Sequence, residues 1–348
     1  MSNRLYSHEE GTVLLSTLLV LTLMSAVALG LLATVRMSVT RAAGLDAQAQ
    51  ADLYALGARD FVQSQLDQYA AAEPSALNVA LAAAEPFILP FDNGSIEMRL
   101  ADGTQCVRLS ALTDANGEAQ DTELMIFTAL MISLGVDRSR SEQVAASTLD
   151  WVDADSQTRP LGAEDGTYLS RTEDQGGPHR TANTAMTSVS ELRAVDGMDE
   201  VLFQRLLPFL CIGTVGAPSL FNIDGAQDWH APVLAALLGA ESDADNLARA
   251  LIADRPSGGY GSAETLLASP VLDGMDTSGV QLSNIVFAPA RLTAETVIRY
   301  SDIEKPQLLA FEGVDSGRPE LTYRSEGWAE MPSLARARMD RAEEDQNR

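Results

Sequence analysis

Basic residues are scarce in this 348-residue chain. Lysine and arginine together number 24 against 49 acidic residues, the net charge is −25, and Lys305 is the only lysine. Such a surface repels the phosphates of DNA and RNA, whereas it attracts divalent cations and basic proteins. We therefore expect no nucleic-acid partner.

Cysteine is nearly absent as well, since only Cys106 and Cys211 occur. Two cysteines exclude a framework of many disulfides, but two alternatives remain open. In an oxidising compartment they could form one bridge that closes a loop of about 105 residues and stabilises the fold by about 4–5 kcal/mol on the chain-entropy model. In the cytosol, two buried free thiols are favoured.

Recognisable catalytic motifs are also missing. The three histidines, His8, His179 and His230, are far apart in the sequence, and no Gly-x-Ser-x-Gly, His-Glu-x-x-His or phosphate-cradling loop is present. The scattered histidines disfavour a membrane-anchored, metal-dependent hydrolase, because such an enzyme would usually combine carboxylates with histidine. The stretch "SELRAVDGMDEVLFQRL" resembles a helix-hairpin-helix, but two aspartates in its turn would repel DNA, so we interpret it as a packing unit. We expect a protein that is not an enzyme.

A long apolar run is the most prominent feature that is present. Residues 12–35 carry no charge and no proline. As a helix they would span roughly 36 Å, enough to cross a hydrocarbon core of about 30 Å. A cleavable signal peptide has an apolar core of only about 7–15 residues, so this run is too long to be one.

The helical pattern continues past the apolar run. Apolar residues recur at helical spacing, with charged residues between them, at Leu45, Ala49, Leu53, Leu56, Phe61, Val62, Leu66 and Tyr69. The simplest prediction is one helix from Thr12 to about Tyr69, roughly 85 Å long. The alternative is a membrane anchor followed by a separate docking helix.

The rest of the chain alternates between strand-like and helical patterns. Short alternating segments lie before residue 112 and after residue 218, and a helical block lies between them. This order predicts an α+β fold, residues 71–112 and 218–330, with a helical domain inserted at residues 113–217. The charged residues 331–348 are predicted to be a disordered tail.

An acidic segment inside the helical block is a candidate metal site. Its sequence, "DWVDADSQTRPLGAED", has few basic residues, and clustered carboxylates repel one another unless a cation binds them. Oxygen-only ligands favour a hard ion such as Ca²⁺, but an EF-hand is excluded because Thr158 replaces the glycine that its loop requires. The alternative is a solvated acidic loop. The acidic residues are Asp150, Asp153, Asp155, Glu164 and Asp165.

The residues before the apolar run resemble a type IV prepilin leader. A short polar leader, residues 1–11, ends at Gly11, and the apolar helix follows at once. The resemblance implies that a prepilin peptidase cuts after Gly11 and methylates the new N-terminus, Thr12. Most such proteins have glutamate at the fifth mature position, where this chain has Ser16. A subunit without that carboxylate is expected at the end of a filament, where no neighbour would need to pair with it.

Several further segments resemble the type II secretion minor pseudopilin K family, the general secretion pathway protein K. The resemblance covers most of the chain from Gly11 to about Tyr300, in the family's order and spacing. Its segments are "GTVLLSTLLVLTLMSAVA", "TLDWVDADSQTRPLGAEDGTYL", "ANTAMTSVSELRAVDGM", "LLPFL" and "LFNIDGA".

This resemblance implies a fold, a metal and a cellular role. The fold is α+β and type IV pilin-like, with a long N-terminal helix, a small antiparallel sheet and a large inserted all-α domain. Structural Ca²⁺ is expected at Asp153, Asp155, Glu164 and Asp165. The protein is expected to be a non-enzymatic tip subunit of the pseudopilus, which initiates or caps assembly for export of folded proteins across the outer membrane.

The implied location and partners follow from that role. One helix, residues 12–35, would cross the bacterial inner membrane and leave the C-terminal domain in the periplasm. The expected partners are minor pseudopilins I and J, the major pseudopilin filament, the prepilin peptidase and exported substrates. The alternative function is a minor type IV pilin at the tip of an adhesive pilus, which would use the same helix.

Overall fold

The computed structural model describes residues 9–69, 77–78, 80–81, 85–239, 243–273, 282–334 and 336–337. Its helices are α1 (Glu9–Tyr69), α2 (Asp121–Ser133), α3 (Arg138–Val152), α4 (Asp165–Tyr168), α5 (Glu200–Leu206), α6 (Ala231–Leu238), α7 (Ala244–Asp254) and α8 (Ala263–Leu267). Its strands are β1 (Phe87–Phe91), β2 (Gly94–Asp102), β3 (Val107–Arg108), β4 (Leu210–Cys211), β5 (Phe221–Asn222), β6 (Ile285–Val286), β7 (Arg291–Tyr300), β8 (Ile303–Glu312) and β9 (Glu320–Glu326).

Helix α1 is continuous, as the simplest interpretation of the sequence predicted, and it comprises 61 residues. Its first part is exposed along its whole circumference, and it is the one helix among the described residues that is long and apolar enough to cross a membrane. Its last turns pack on the sheet. A separate anchor and docking helix are therefore not found.

The face of α1 that packs on the sheet differs from the predicted leucine stripe. Leu45 and Leu53 are 73% and 60% exposed, whereas the buried face consists mainly of smaller side chains. Because alanine side chains are short, the helix axis can approach the sheet closely. Close approach matters because dispersion contacts weaken quickly with distance. The buried face consists of Ala51, Ala55, Ala58, Val62 and Leu66.

The sheet under α1 is antiparallel and has the strand order β1-β2-β7-β8-β9. The central strand pair shows how the domains are connected, because Asp102 at the end of β2 lies opposite Leu292 near the start of β7. The chain therefore leaves the sheet after residue 102 and re-enters it at residue 291, between two adjacent strands.

Strand β8 has no alternating pattern that would reveal it in the sequence. It carries a proline, Pro306, and a run of buried apolar residues instead of the alternation of a half-exposed strand. The run is apolar because β8 is covered on both faces: Leu308 and Ala310 belong to one apolar core, and Leu309 and Phe311 belong to the other, which includes α1. Proline is tolerated because pairing with β9 begins only at Gln307, so the missing N–H interrupts no bond of that ladder.

The helical insertion is larger than predicted. Helices α6 and α7, which lie beyond residue 217, share one apolar core with α2 and α3. Residue 217 is therefore not a boundary in packing, and the insertion comprises residues 103–290. Helical periodicity indicates that α6 and α7 exist, but it does not indicate on which body they pack.

The insertion is fixed to the sheet by a buried ion-pair cluster. Arg291 on β7 donates a 2.6 Å hydrogen bond to the Ile212 carbonyl and lies 3.3 Å from Glu312 on β8. Arg108, in the insertion, pairs with the same Glu312 carboxylate. Because these groups are largely removed from water, loss of one partner would leave an uncompensated buried charge.

The C-terminal segment also joins the two bodies. Met331 is buried, and the Ser333 backbone N–H donates a 2.6 Å hydrogen bond to Glu295 on β7. A disordered tail that begins at residue 331 is therefore wrong for the described residues 331–334. Residues 338–348 of that predicted tail, and residues 1–8 of the predicted leader, lie outside the described residues.

His230, at the start of α6, is a buried base. Its Nδ1 accepts a 2.9 Å hydrogen bond from the Gln227 backbone N–H. Burial, followed by the charges of Arg336 and Arg255, lowers the pKa of His230 from 6.5 to about 3. His230 therefore binds a proton near pH 6.5 in the unfolded chain but only near pH 3 in the folded chain. As the pH falls through this window, the unfolded state gains a proton that the folded state does not, so the stability contributed by neutral His230 is lost.

We predict that lowering the pH from 7 to 5 costs about 2 kcal/mol of unfolding free energy through His230 alone. The substitution His230→Asn keeps an acceptor for Gln227 and should remove this part of the pH dependence. Urea unfolding of both proteins at pH 7 and pH 5, with saturating calcium, measures the difference. Parallel losses in wild type and variant would contradict the prediction.

Candidate metal centre

The acidic segment forms a loop between two helices. Helix α3 ends at Val152 because the backbone of Asp153 turns extended (φ −72°, ψ 162°). The loop ends at Glu164, whose side chain accepts a 3.3 Å hydrogen bond from the Asp165 N–H at the start of α4. Behind the loop, Trp151 packs edge-on against the ring of Tyr168, with ring centroids 5.1 Å apart. The indole is buried.

Three of the four predicted ligands converge. Asp153, Asp155 and Glu164 each place a carboxylate oxygen within 4.8 Å of the others. Asp153 and Glu164 are buried, and Asp155 is exposed. The arrangement gives a half-open set of oxygen donors, which suits a hard cation that also retains water ligands.

Two oxygens of this cluster are buried without a partner. Asp153 Oδ1 and Glu164 Oε1 have no hydrogen bond within the described part of the chain. A buried acceptor without a partner costs free energy, and a buried carboxylate costs more. A cation between these oxygens would satisfy both, so the residues present fit a bound metal ion.

The carboxylates of this loop repel one another. Burial, followed by the negative charges of Asp155, Asp150 and Glu164, raises the pKa of Asp153 from 3.8 to about 6. Burial also raises the pKa of Glu164. Both shifts have the direction expected when carboxylates are brought together without enough positive charge.

Arg159 is the cation nearest to the cluster, and it is poorly placed. Its Nε lies 3.8 Å from Asp153 Oδ2 and 3.9 Å from Asp150 Oδ1, beyond hydrogen-bond distance. That Nε is itself buried without a partner among the described residues. The Arg159 guanidinium therefore reduces the repulsion without a hydrogen bond from its Nε to either carboxylate.

Asp150 has a structural role that the sequence did not reveal. Its carboxylate is fully buried and accepts a 3.1 Å hydrogen bond from the Arg159 backbone N–H. A Cβ at Gly162 would lie 2.1 Å from Asp150 Oδ2, so only glycine fits there. The close approach comes from a turn in which Leu161 has φ 70°, a left-handed conformation that is uncommon for leucine.

Asp165, the fourth predicted ligand, lies outside the cluster. Its carboxylate accepts hydrogen bonds from the Thr181 N–H at 3.0 Å and from Arg180 at 2.9 Å. The Thr181 backbone bond is the main cause that lowers the pKa of Asp165. Since Thr181 also donates to Glu164 Oε2 at 3.3 Å, Asp165 holds this segment beside the cluster.

The other predicted site residues lie in α1 and in the insertion. Gly11 and Thr12 both lie within α1. The hydroxyl of Ser16 donates a 2.9 Å hydrogen bond to the Val13 carbonyl of the same helix. Cys106 and Cys211 form a disulfide. Both cysteines lie inside residues 103–290, so the bridge closes the first half of the insertion near its root and does not staple the insertion to the sheet.

The fold and these sites define a class of protein: a pilin-like subunit with a long apolar N-terminal helix and a helical insertion in its sheet. Family models for type II secretion system protein K match residues 105–214 and 222–287. The chain belongs to the type II secretion system protein K family, and it is a minor pseudopilin of that system.

Individual relatives agree with this assignment. Type II secretion system protein K of Pectobacterium carotovorum subsp. carotovorum is 32% identical over 76% of this chain and 81% of its own length. The protein of the same name in Klebsiella pneumoniae is 33% identical over 78% of this chain and 83% of its own length. A chain in the crystal structure of the GspK–GspI–GspJ complex from enterotoxigenic Escherichia coli shares the fold, with a TM-score of 0.68 and 24% identity over 83% of this chain and 100% of that chain.

Proposed function

We propose that this protein is the tip subunit of the type II secretion pseudopilus and that it initiates or caps filament assembly without catalysing a reaction. Ser16 is the observation that carries the proposal. Its hydroxyl is satisfied within its own helix, so the position needs no partner from a neighbouring subunit. A glutamate there would need one, because a carboxylate among apolar helices is costly when unpaired.

The surface of the exposed part of α1 is suited to two environments that the helix would occupy in turn. Its large apolar side chains from Val13 to Val39 are all at least half exposed. Such a surface is stable in a membrane or among other apolar helices but not in water. We propose that the helix first anchors the protein in the inner membrane, with the folded domain in the periplasm, and later packs against the helices of the major pseudopilin filament.

Minor pseudopilins I and J are the proposed partners at the tip. The related fold was solved as a complex with GspI and GspJ, which supports the same assembly for this chain. Contact with exported substrates is proposed from the tip position alone. The prepilin peptidase is the proposed processing enzyme, with cleavage between Gly11 and Thr12.

Calcium is the proposed structural ion of the loop. Asp153, Asp155 and Glu164 supply only oxygen donors, two of them are buried, and no histidine or cysteine joins them within the described residues. This donor chemistry favours Ca²⁺ over zinc or copper. When bound, the ion supplies positive charge to the buried carboxylates, and Asp165 keeps Thr181 in place beside Glu164.

The proposal predicts a defined mature N-terminus and a defined complex. Mass spectrometry of protein extracted from membranes should show a chain that begins with methylated Thr12. The variant Gly11→Leu should retain the leader, because the peptidase cuts after glycine. The processed protein should co-purify with minor pseudopilins I and J. A wild-type chain with Met1 intact, or a processed chain that never associates with I and J, would contradict the proposal.

A further inference from the structure

A cleft of about 780 Å³ on the insertion shares no residue with the carboxylate cluster. It lies where the C-terminal ends of α2 and α7 meet the beginning of α6. The size lies within the range of clefts that hold a small ligand or a short peptide segment. Its apolar side chains are Leu134, Phe209, Trp229, Pro232 and Ile252.

Three arginines line the same cleft, namely Arg249, Arg255 and Arg336. Arg255 is fixed by its Nη1, which donates to the carbonyls of Ile223 at 2.8 Å and Ala226 at 2.7 Å. Arg336 lies over the ring of Trp229, with its Cζ 4.5 Å from the ring centroid. The carbonyl and ring contacts hold these two guanidinium groups in place before any ligand binds.

The positive charge of the cleft is only partly neutralised. Arg249 pairs with Asp245 at 2.9 Å, yet its side chain is 53% exposed. Arg255 forms no ion pair with any carboxylate of the described residues. Among the described residues that line the cleft, one is acidic, namely Asp228. Asp228 and Asp245 offset two of the three arginines, so the described residues of the cleft keep a net positive charge in a chain whose net charge is −25.

The charges of two of these arginines also act on the neighbouring histidine. After burial, the charges of Arg336 and Arg255 lower the pKa of His230, which lies next to Trp229. An anion in the cleft would face this positive potential at short range, whereas the rest of the surface repels it at long range. The cleft therefore favours an anionic group only when that group is held close.

We propose that this cleft docks an acidic segment of a protein partner. Arg249 and Arg255 would hold a carboxylate of that segment, because guanidinium groups match carboxylates in geometry and charge. An apolar side chain beside the carboxylate would rest on Trp229 and Ile252. A peptide can contact both the apolar residues and the arginines of the cleft. A free inorganic anion would contact only the arginines, so a peptide fits the cleft better.

The test uses the full chain in detergent micelles, labelled with 5-fluorotryptophan. The three tryptophans give three ¹⁹F resonances, and the variant Trp229→Phe assigns the one at the cleft. The probes are acetyl-Leu-Glu-Leu-amide, its Gln analogue and inorganic phosphate. The Glu peptide should shift the Trp229 resonance and bind at least fivefold more tightly than the Gln peptide, and 0.5 M NaCl should weaken it.

Matched variants decide whether the arginines are responsible. Arg249→Gln should weaken binding of the Glu peptide at least fivefold. Arg193→Gln is the control, since Arg193 is also a partly exposed arginine paired with a carboxylate, at 2.9 Å, but does not line the cleft. Arg255→Lys keeps the charge and should retain binding above that of Arg249→Gln. Equal affinity for the Glu and Gln peptides, equal loss in Arg193→Gln, or phosphate that binds as tightly as the peptide would overturn the proposal.

Discussion

Removal of calcium is expected to lower the melting temperature of this protein by about 8–16 °C. An ion present at about 1,000 times its dissociation constant stabilises the folded state by about 4 kcal/mol, and 1 kcal/mol shifts the melting temperature of a body of this size by about 2–4 °C. The shift arises because Asp153 and Glu164 keep buried, unpartnered oxygens when the ion is absent.

Differential scanning calorimetry with saturating calcium and with excess chelator measures this shift. Asp153→Asn should abolish most of the calcium response, since it removes a buried charged ligand. Asp165→Asn is the matched control from the same loop. Its carboxylate is bound by Thr181 and Arg180, so this variant should melt lower but keep its response to calcium. Identical melting curves with and without chelator would eliminate the calcium proposal.

Loss of the disulfide between Cys106 and Cys211 is expected to destabilise the protein by about 4–5 kcal/mol, a fall of about 8–20 °C in melting temperature. The bridge closes a loop of 105 residues, and a long closed loop restricts the unfolded chain strongly. It also joins β3 to β4 at the root of the insertion, where the Arg108 contact to the sheet begins.

The double variant Cys106→Ala, Cys211→Ala tests this expectation without leaving a reactive thiol. Calcium should be saturating in all samples, so that the metal site does not change at the same time. Wild-type protein melted with reductant should reproduce the result of the double variant. If oxidised and reduced wild type melt at the same temperature, the bridge contributes nothing and the expectation fails.

Much of the fold could be predicted from local sequence pattern. The uncharged run from Thr12 and its amphipathic continuation predicted one long helix, and the structure has it. The alternating segments before residue 112 predicted strands, and the antiparallel pair β1–β2 lies there. Both depend on periodicity and turn residues, which act over a few residues and are therefore visible in sequence.

Other features could not be predicted in the same way. The extent of the insertion depends on which body α6 and α7 pack against, and their own periodicity is the same in either case. Strand β8 lacks alternation because both of its faces are covered. The buried face of α1 uses alanines where leucines were expected, because the distance between helix and sheet decides which side chains fit.

The sequence by itself determined that this protein has a long apolar helix after Gly11, serine instead of glutamate at position 16, and an excess of carboxylates in one segment. Only the tertiary structure decided which carboxylates meet: Asp153, Asp155 and Glu164 converge, whereas Asp165 is taken by Thr181 and Arg180. Residue type and spacing fix the charge that a loop can carry. The direction of each side chain depends on the distant residues that bury it or donate to it, and those are set by packing.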